Sequence, residues 1–443
     1  MSTIIKVEAG VVSVRELSAF VGEEILVGDK IGVVMTLEPE LTRVALFDST
    51  EGLSVGQAVT GTNEPIRIPT GELAGRVLDP LGRPLDHRAV STAKSTALRP
   101  PKTWGLSTSS VPIVTGIMRI DTLAKLNSSH HLGICGPQGE GRSALATRII
   151  ASQQGRGVSC IYVLNRQQPA SLYATLTKLR AMGDTTVLCA DPRIPAQAAF
   201  APLAGVVLAH EWRAAGQQVL LVFDDLSTGA GAYQELMTML NAYSGSLYSW
   251  LGPLWGGFGE RSKEQGGGAV AGVSFWGAEG IRLPRPAAVG AWVDSFLSME
   301  VDGSISAKKS TRNFGFHKLR CLRWGQAQAC AEIEALLRLE AKADPERSAA
   351  LEPGQRLCAL FEVASRQSLT LEAQALLLFA VLRGHSKRWK LSELSAFVSL
   401  VQRALAHHPT PVYEAIHAWS PYGDPTPGAW LDQWLSGLPN PTS

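Results

Sequence analysis

The chain has 443 residues, 45% of them hydrophobic and 18% charged, and its 41 basic and 39 acidic residues leave a net charge of only +2. This length is enough for about three domains with real hydrophobic cores, and the balanced charge argues against a nucleic-acid-binding surface. The first ten residues lack the apolar segment of a signal peptide, and the six cysteines form no C-x-x-C pair, which is typical of a reduced intracellular chain.

The chain begins with short β-rich segments, such as 11–14 and 31–35, that Gly and Asp separate at close and even spacing. This pattern predicts a small β-barrel, which we assign to a domain over 1–90 and interpret as a structural collar without chemistry. A turn rich in Gly and Pro follows at 75–86, and a connector rich in Ser, Thr and Pro runs to about residue 111. These residues mark a domain boundary.

A glycine-rich turn then stands between an apolar strand and a helical run within 131–150. Its residues are Gly136, Pro137, Gln138, Gly139, Glu140, Gly141, Arg142 and Ser143. This spacing matches a P-loop, in which backbone N–H groups and a helix N-terminus bind phosphate, a Lys neutralises charge and a Ser or Thr hydroxyl binds the metal. Arg142 replaces the Lys, and Arg is bulkier and forked. The turn is therefore either a weakened nucleotide site or a loop that has kept its shape without a ligand.

Apolar strands alternate with helical stretches beyond this turn, in a predicted P-loop domain over 91–325. The strands are expected at 160–164, 186–190 and 218–225, and the helices at 170–182 and 200–215. Such alternation predicts a mostly parallel sheet covered on both faces. Asp224, at the end of the third strand, is placed where P-loop proteins hold Mg²⁺, although an Asp at such a position often only caps a helix.

The pattern becomes helical after residue 325, with apolar residues recurring at three and four positions. It predicts a C-terminal helical domain over 326–443. Three tryptophans, Trp419, Trp430 and Trp434, lie in a final stretch rich in Pro and Gly that we interpret as a packed tail.

Five segments of the chain are distinctive: GRVLDPLGRPLD, CIYVLNRQQ, LLVFDDLSTGAGAYQELM, TRNFGF and LRWGQAQ, which begin at residues 75, 160, 220, 311 and 322. Together with the order of domains, these segments resemble the alpha subunit of F-type ATP synthase over nearly the whole chain. The resemblance implies an α/β fold with an N-terminal small β-barrel, a central RecA-like P-loop domain with a mostly parallel sheet, and a C-terminal helical bundle.

The resemblance also implies a role for each site residue. The loop from Gly136 to Ser143 would bind ATP or ADP with Mg²⁺ at a noncatalytic site, with Ser143 and Asp224 on the metal side. Gln167 stands where a catalytic beta subunit has the Glu that activates water, so efficient hydrolysis by this chain alone is not expected. Arg323 matches the arginine finger that an alpha subunit extends into its neighbour's site, and the alternative is an arginine in a surface salt bridge.

The implied complex is a rotary proton- or sodium-translocating ATP synthase, bound peripherally at the cytoplasmic face of a bacterial inner membrane. In it the chain would alternate with beta subunits in a hexamer, meet the central-stalk gamma and peripheral-stalk subunits, and contact the membrane only through the complex. Four departures from the family pattern bear on this. Arg142 replaces Lys, Val363-Ala364-Ser365 replaces the Gln-x-Gln adenine contact, the region 245–268 is shortened and unusual, and the N-terminal extension that meets the peripheral stalk is missing. They leave nucleotide occupancy and stalk contact open.

Two alternatives remain at this point. A hexameric protein-export ATPase shares the same three domains, but it requires an acidic catalytic base near Gln167 and a P-loop Lys, and this sequence has neither. A nucleotide-free scaffold related to the alpha subunit would use the fold only for assembly, and Arg142 and Glu140 favour it.

Overall fold

The structure is a computed structural model of the chain. It describes residues 2–101, 111–124, 126–136, 141–165, 177–178, 183–240, 247–261, 267–277, 293–299, 305–307, 345–364, 367–407, 409–419 and 424–440. The chain divides into two compact units, the first comprising Met1–Val111 and Asn127–Asp294, and the second Pro112–Leu126 and Ser295–Ser443. The predicted division at 1–90, 91–325 and 326–443 stays a prediction.

The strands are β1 (Thr3–Glu8), β2 (Val11–Arg15), β3 (Glu23–Val27), β4 (Lys30–Glu38), β5 (Leu41–Leu46), β6 (Thr60–Pro65), β7 (Arg67–Pro69), β8 (Val77–Leu78), β9 (Ser95–Ala97), β10 (His131–Gly136), β11 (Val158–Leu164), β12 (Thr185–Cys189), β13 (Gln218–Asp224), β14 (Gly259–Glu260), β15 (Ala269–Gly277), β16 (Ser295–Met299) and β17 (Ile305–Ala307). The helices are α1 (Met118–Leu123), α2 (Arg142–Ala151), α3 (Pro195–Ala214), α4 (Leu226–Met239), α5 (Leu247–Trp255), α6 (Pro345–Ala364), α7 (Leu371–Leu382), α8 (Leu394–His407), α9 (Pro409–Ala418) and α10 (Thr426–Ser436).

The first six strands form an antiparallel sheet in the order β1-β2-β5-β4-β3-β6. The sheet curls until the segment before β6 meets β1: Ile4 N donates to Gln57 O at 3.0 Å, and Val59 N donates to Ser2 O at 3.0 Å. Closure removes the free edges that an open sheet would leave. The apolar side chains that alternate along the strands fill the interior, and this core includes Val12, Ile25, Val34 and Val44. The predicted small barrel is confirmed.

The second sheet of the first unit is mostly parallel, in the order β10-β15-β13-β11-β12-β8, with β14 antiparallel to β15. Every residue of β10 and of β12 is buried, as continuous apolar strands require when helices cover both faces of a sheet. Three predicted strands lie within a few residues of their expected bounds, at β11, β12 and β13. The predicted helix at 170–182 lies almost entirely outside the described residues.

The helices α6 to α10 pack around one apolar core in the second unit. Leu376, Phe379, Phe397 and Val401 are buried in it. The buried residues of α8 recur at three and four positions and form one apolar face, whereas α7 is buried on nearly all sides. The tail contributes Leu431 and Leu435 from α10. This arrangement confirms the predicted C-terminal helices. No described helix has both the length and the apolar character that crossing a bilayer requires.

A buried carboxylate fastens α1 to α7 within the second unit. Asp121 accepts hydrogen bonds from Thr115 N at 2.9 Å, Thr115 Oγ1 at 2.8 Å, Gly116 N at 3.1 Å and Gln374 Nε2 at 2.7 Å. Burial raises the pKa of Asp121 to about 6, although these four donors favour its charged form. Leu369 N also donates to Gly116 O at 2.8 Å, so the start of α7 and the residues before α1 are held together at several points.

Candidate phosphate-binding site

The predicted loop lies where a strand passes into a helix. β10 ends at Gly136 and α2 begins at Arg142. Gly141 caps the helix with a φ of 80°, a left-handed conformation that glycine adopts without steric penalty. The first N–H groups of a helix lack partners inside it, so they are available to an anion. Pro137, Gln138, Gly139 and Glu140 lie outside the described residues.

The strand register places the ends of three parallel strands at one edge of the sheet. Gly136 lies opposite Gly277 on β15, and on the other side of β15 the strand β13 ends with Asp224. Only β15 separates β10 from β13, so their ends lie about 10 Å apart. Ligands of open parallel sheets bind outside such carboxyl ends.

Arg142 is turned into the protein at this edge. Its side chain is 1% exposed, and Nη1 lies 3.2 Å from Asp225 Oδ2. That distance makes an ion pair, but Nη1 is not aligned for a hydrogen bond, and neither Nη1 nor Nε has a hydrogen-bond partner among the described residues. The guanidinium also lies near Gly277, where an added Cβ would stand 3.8 Å from Nη1.

The two carboxylate oxygens of Asp225 contact different parts of the site. Oδ1 caps α4 by accepting from Thr228 N and from Thr228 Oγ1, both at 2.9 Å, while Oδ2 faces Arg142. The neighbouring Ser227 Oγ accepts from Gly277 N at 2.7 Å. These contacts join the end of β13, the start of α4 and the end of β15 around the guanidinium.

Asp224 lies at the end of β13 and is 1% exposed. Its Oδ2 accepts a hydrogen bond from Tyr162 Oη at 2.7 Å, and its backbone oxygen accepts from Asn165 N at 2.9 Å. Mg²⁺ in phosphate sites is held by one or two protein oxygens together with phosphate and water. Ser143, half-buried in the first turn of α2, and Asp224 fit that donor set. The described residues contain no cluster of three or more acidic, His or Cys groups able to hold a metal by itself.

The structure thus brings five predicted site residues to one sheet edge: Gly136, Gly141, Arg142, Ser143 and Asp224. Gln167 and Arg323 lie outside the described residues, as does Ser365.

Three further residues of the site were not predicted: Tyr162, Asp225 and Ser227. A tyrosine in a buried strand needs a hydrogen-bond partner. Two consecutive Asp residues at the end of a strand indicate that both carboxylates lie at the same sheet edge. Both features were readable in the sequence, but neither shows which residue is contacted.

Residues 116–300 match the family model described as the ATP synthase alpha/beta family, nucleotide-binding domain. The chain is similar to the ATP synthase subunit alpha of Macrococcus caseolyticus, with 27% identity over 429 residues that cover 90% of this chain and 85% of the relative. The similarity to the same subunit of Clostridium acetobutylicum is 27% over 439 residues, covering 92% and 87% of the two chains. Residues 116–300 are therefore similar to the nucleotide-binding domain of the ATP synthase alpha/beta family, and the chain is similar to ATP synthase alpha subunits over about nine-tenths of its length.

Proposed function

We propose that the chain is the alpha-type, noncatalytic subunit of a rotary F-type ATP synthase that couples ATP synthesis or hydrolysis to proton or sodium transport. The relatives named ATP synthase subunit alpha align with it over most of their length. The observation that carries the proposal is the strand-loop-helix of β10 and α2, with Asp224 at the same sheet edge and a closed barrel preceding it in the chain.

The loop from Gly136 to Ser143 binds ATP or ADP weakly in this proposal. Ser143 and Asp224 hold Mg²⁺, which neutralises charge on the phosphate oxygens when it is bound. Affinity is low because the cation that replaces the P-loop Lys, Arg142, already faces Asp225. The nucleotide then supports assembly and is not turned over.

Catalysis belongs to the neighbouring beta subunit. The Gln167 side chain is a neutral amide, which has no basic oxygen to accept the proton of an attacking water. Arg323 reaches into the beta subunit's site and stabilises charge on the transferring phosphoryl group, an effect worth about three to five orders of magnitude in related phosphoryl transfers. These two roles rest on the resemblance of the surrounding segments.

The complex would lie at the cytoplasmic face of the bacterial inner membrane, with gamma and peripheral-stalk subunits beside the ring. Purification of the tagged full-length chain from its own cells, under mild conditions, tests whether the chain belongs to such a complex. We expect a beta-type chain in equal amount and a gamma-type chain in smaller amount. A homo-hexamer that hydrolyses ATP without a second chain would instead indicate the protein-export ATPase.

The Arg323→Ala variant tests the finger in the purified complex. We expect ATP turnover to fall by about a thousandfold or more, because the finger stabilises transition-state charge that the other groups of a catalytic site neutralise only in part, while assembly is unchanged. Arg320→Ala, three residues earlier in the chain, is the matched control and should retain turnover. Unchanged turnover in Arg323→Ala would contradict the assignment.

A nucleotide-free scaffold is the second candidate, and the buried pair of Arg142 and Asp225 favours it. Calorimetric titration of the full chain with Mg-ATP separates the two. A dissociation constant in the micromolar to low millimolar range supports the alpha-type site, whereas no heat of binding up to several millimolar supports the scaffold.

A further inference from the structure

We infer that Asp225 is an internal counter-ion that competes with bound phosphate for Arg142, so that Arg142 must leave Asp225 before it can bind the phosphate of a nucleotide. This inference rests on the proposed assignment of residues 136 to 143 as the phosphate loop. It gives Asp225 a positioning role that is separate from the metal role proposed for Asp224.

The first step of the argument is burial. The side chains of Arg142 and Asp225 are 1% and 5% exposed. A guanidinium remains charged under all ordinary conditions, and a charge removed from water needs either an opposite charge nearby or several hydrogen bonds. Because Arg142 has this partner inside the fold, it contributes no free positive charge to the loop.

The second step is that the contact leaves hydrogen bonds unmade. Nη1 and Nε of Arg142 are buried and have no hydrogen-bond partner among the described residues. An aligned guanidinium and carboxylate would form two parallel hydrogen bonds. The pair therefore neutralises charge while satisfying the guanidinium poorly. A phosphate group offers three oxygens, enough to accept from the N–H groups that Asp225 leaves unpaired.

The third step decides which partner moves. Asp225 is fixed by Thr228, whose N–H and hydroxyl both donate to Oδ1, and the N-terminus of α4 favours a negative charge there. Asp225 therefore stays in place when an anion arrives. Arg142 must leave Asp225 to meet the phosphate, and the phosphate then experiences repulsion from the exposed carboxylate.

The consequence is a measurable loss of affinity. When only a fraction of molecules has the basic residue free, the apparent dissociation constant rises in inverse proportion to that fraction. Asp225→Asn removes the competing charge and preserves the cap, because Asn caps helices about as well as Asp. The expected result of this substitution is tighter binding of polyphosphate, with α4 intact.

The test is calorimetric titration of the full chain with inorganic tripolyphosphate, repeated with Mg-ATP. We expect Asp225→Asn to bind tripolyphosphate about tenfold more tightly than the unmodified chain. This is the gain expected if Arg142 is paired with Asp225 in about nine molecules of ten and free to bind phosphate in the tenth. Glu8→Gln removes the same charge from an exposed ion pair with Lys6 in the barrel, where the two groups are 2.8 Å apart. This control should change affinity less than twofold, because it reports only the change in net charge.

The double variant Arg142→Ala with Asp225→Asn should lose the gain, because the gain depends on the released guanidinium. Asp225→Ser, which also caps helices, replaces Asp225→Asn if that variant does not fold. Equal or weaker binding by Asp225→Asn, a gain that survives in the double variant, or no binding by any variant up to several millimolar would overturn the inference. The proposed function stands or falls separately, on the recovery of a beta-type partner and on Arg323.

Discussion

Two buried charges, one in each unit, are stabilised in different ways. Asp121 has no basic side chain within ion-pair distance among the described residues, yet four hydrogen bonds converge on its carboxylate. Arg142 has a carboxylate partner at 3.2 Å, yet two of its nitrogen atoms make no hydrogen bond to the described residues. The first charge is satisfied by fixed dipoles and the second by one counter-ion.

The difference shows which charge is free to change partners. Replacing four donors at once would require α1, the residues before it and α7 to separate, so Asp121 is a structural clamp. Replacing one poorly aligned carboxylate requires only a rotation of the Arg142 side chain. A buried pair with unmade hydrogen bonds is weak evidence for stability, and it leaves Arg142 able to exchange Asp225 for another anion.

The largest effect is expected from Asp121→Ala. The substitution leaves the N–H groups of Thr115 and Gly116 and the amide of Gln374 buried without an acceptor, which should lower the free energy of unfolding by about 3–5 kcal/mol. Urea denaturation of the full chain, followed by circular dichroism, measures this loss. Gln374→Leu, which removes one donor, should cause a smaller loss, and a loss below about 1 kcal/mol for Asp121→Ala would show that the clamp is dispensable.

Arg142→Met should follow, with a loss of about 3 kcal/mol, because Asp225 would remain buried without its counter-ion. Adding Asp225→Asn should recover much of that stability, since it removes the stranded charge and preserves the helix cap. Urea denaturation of the single and double variants gives both values. If Asp225→Asn regains none of the stability that Arg142→Met loses, Asp225 is not the counter-ion that stabilises Arg142.

A third buried ionisable group extends the comparison to a neutral side chain. The His131 ring lies 4.7 Å from the Trp255 ring and 4.5 Å from the Phe258 ring between centroids, and neither ring nitrogen has a hydrogen-bond partner among the described residues. Burial lowers the pKa of His131 to about 3 from the ordinary 6.5. The imidazole is therefore neutral in the folded chain and protonated in the unfolded chain between these values.

The neutral His131 side chain makes its full contribution to the free energy of unfolding above pH 6.5. This contribution falls as the pH is lowered toward 3, because the unfolded chain binds a proton at His131 that the folded chain does not bind. The difference reaches about 2 kcal/mol at pH 5. His131→Phe removes the titration, so its melting temperature should drop less than that of the unmodified chain between pH 8 and pH 5. Parallel melting curves at the two pH values would refute a buried neutral His131.

The smallest effect is expected at the start of α7, the helix that carries Gln374. Thr370 caps it by accepting from Ala373 N at 3.2 Å, and Thr370→Ala should lower the free energy of unfolding by about 1 kcal/mol. Urea denaturation measures it, with Thr370→Ser as the control that keeps the hydroxyl. A loss as large as that of Asp121→Ala would show that the cap, and not the clamp, holds the second unit together.

Local patterns were sufficient to predict many of the strands and helices and the position of the glycine-rich turn at the end of β10. The barrel strands, the parallel strands and the loop at Gly136 followed from alternation, continuous apolar runs and glycine spacing. The helix expected from residue 200 begins at Pro195, and the signal for that earlier start, a proline at the first helical position, was available.

Contacts between distant residues were beyond these patterns. The pairing of Arg142 with Asp225 depends on the strand order, which sets β10 and β13 on either side of β15, and no local periodicity specifies that order. The contact between Asp121 and Gln374 joins residues far apart in the chain, and both side chains look like ordinary surface groups in the sequence. Their roles depend on burial, which only the packed structure reveals.

The second unit is discontinuous, since it takes Pro112–Leu126 from the middle of the chain and the rest from Ser295 onward. Within that short piece Ile117, Met118 and Ile120 are fully buried. A fragment that stops at Asp294 therefore carries an orphaned apolar segment whose hydrogen-bonding partners, Leu369 and Gln374, have been cut away. Dissecting this protein into autonomous halves requires deleting or replacing that segment, and a single cleavage is not sufficient.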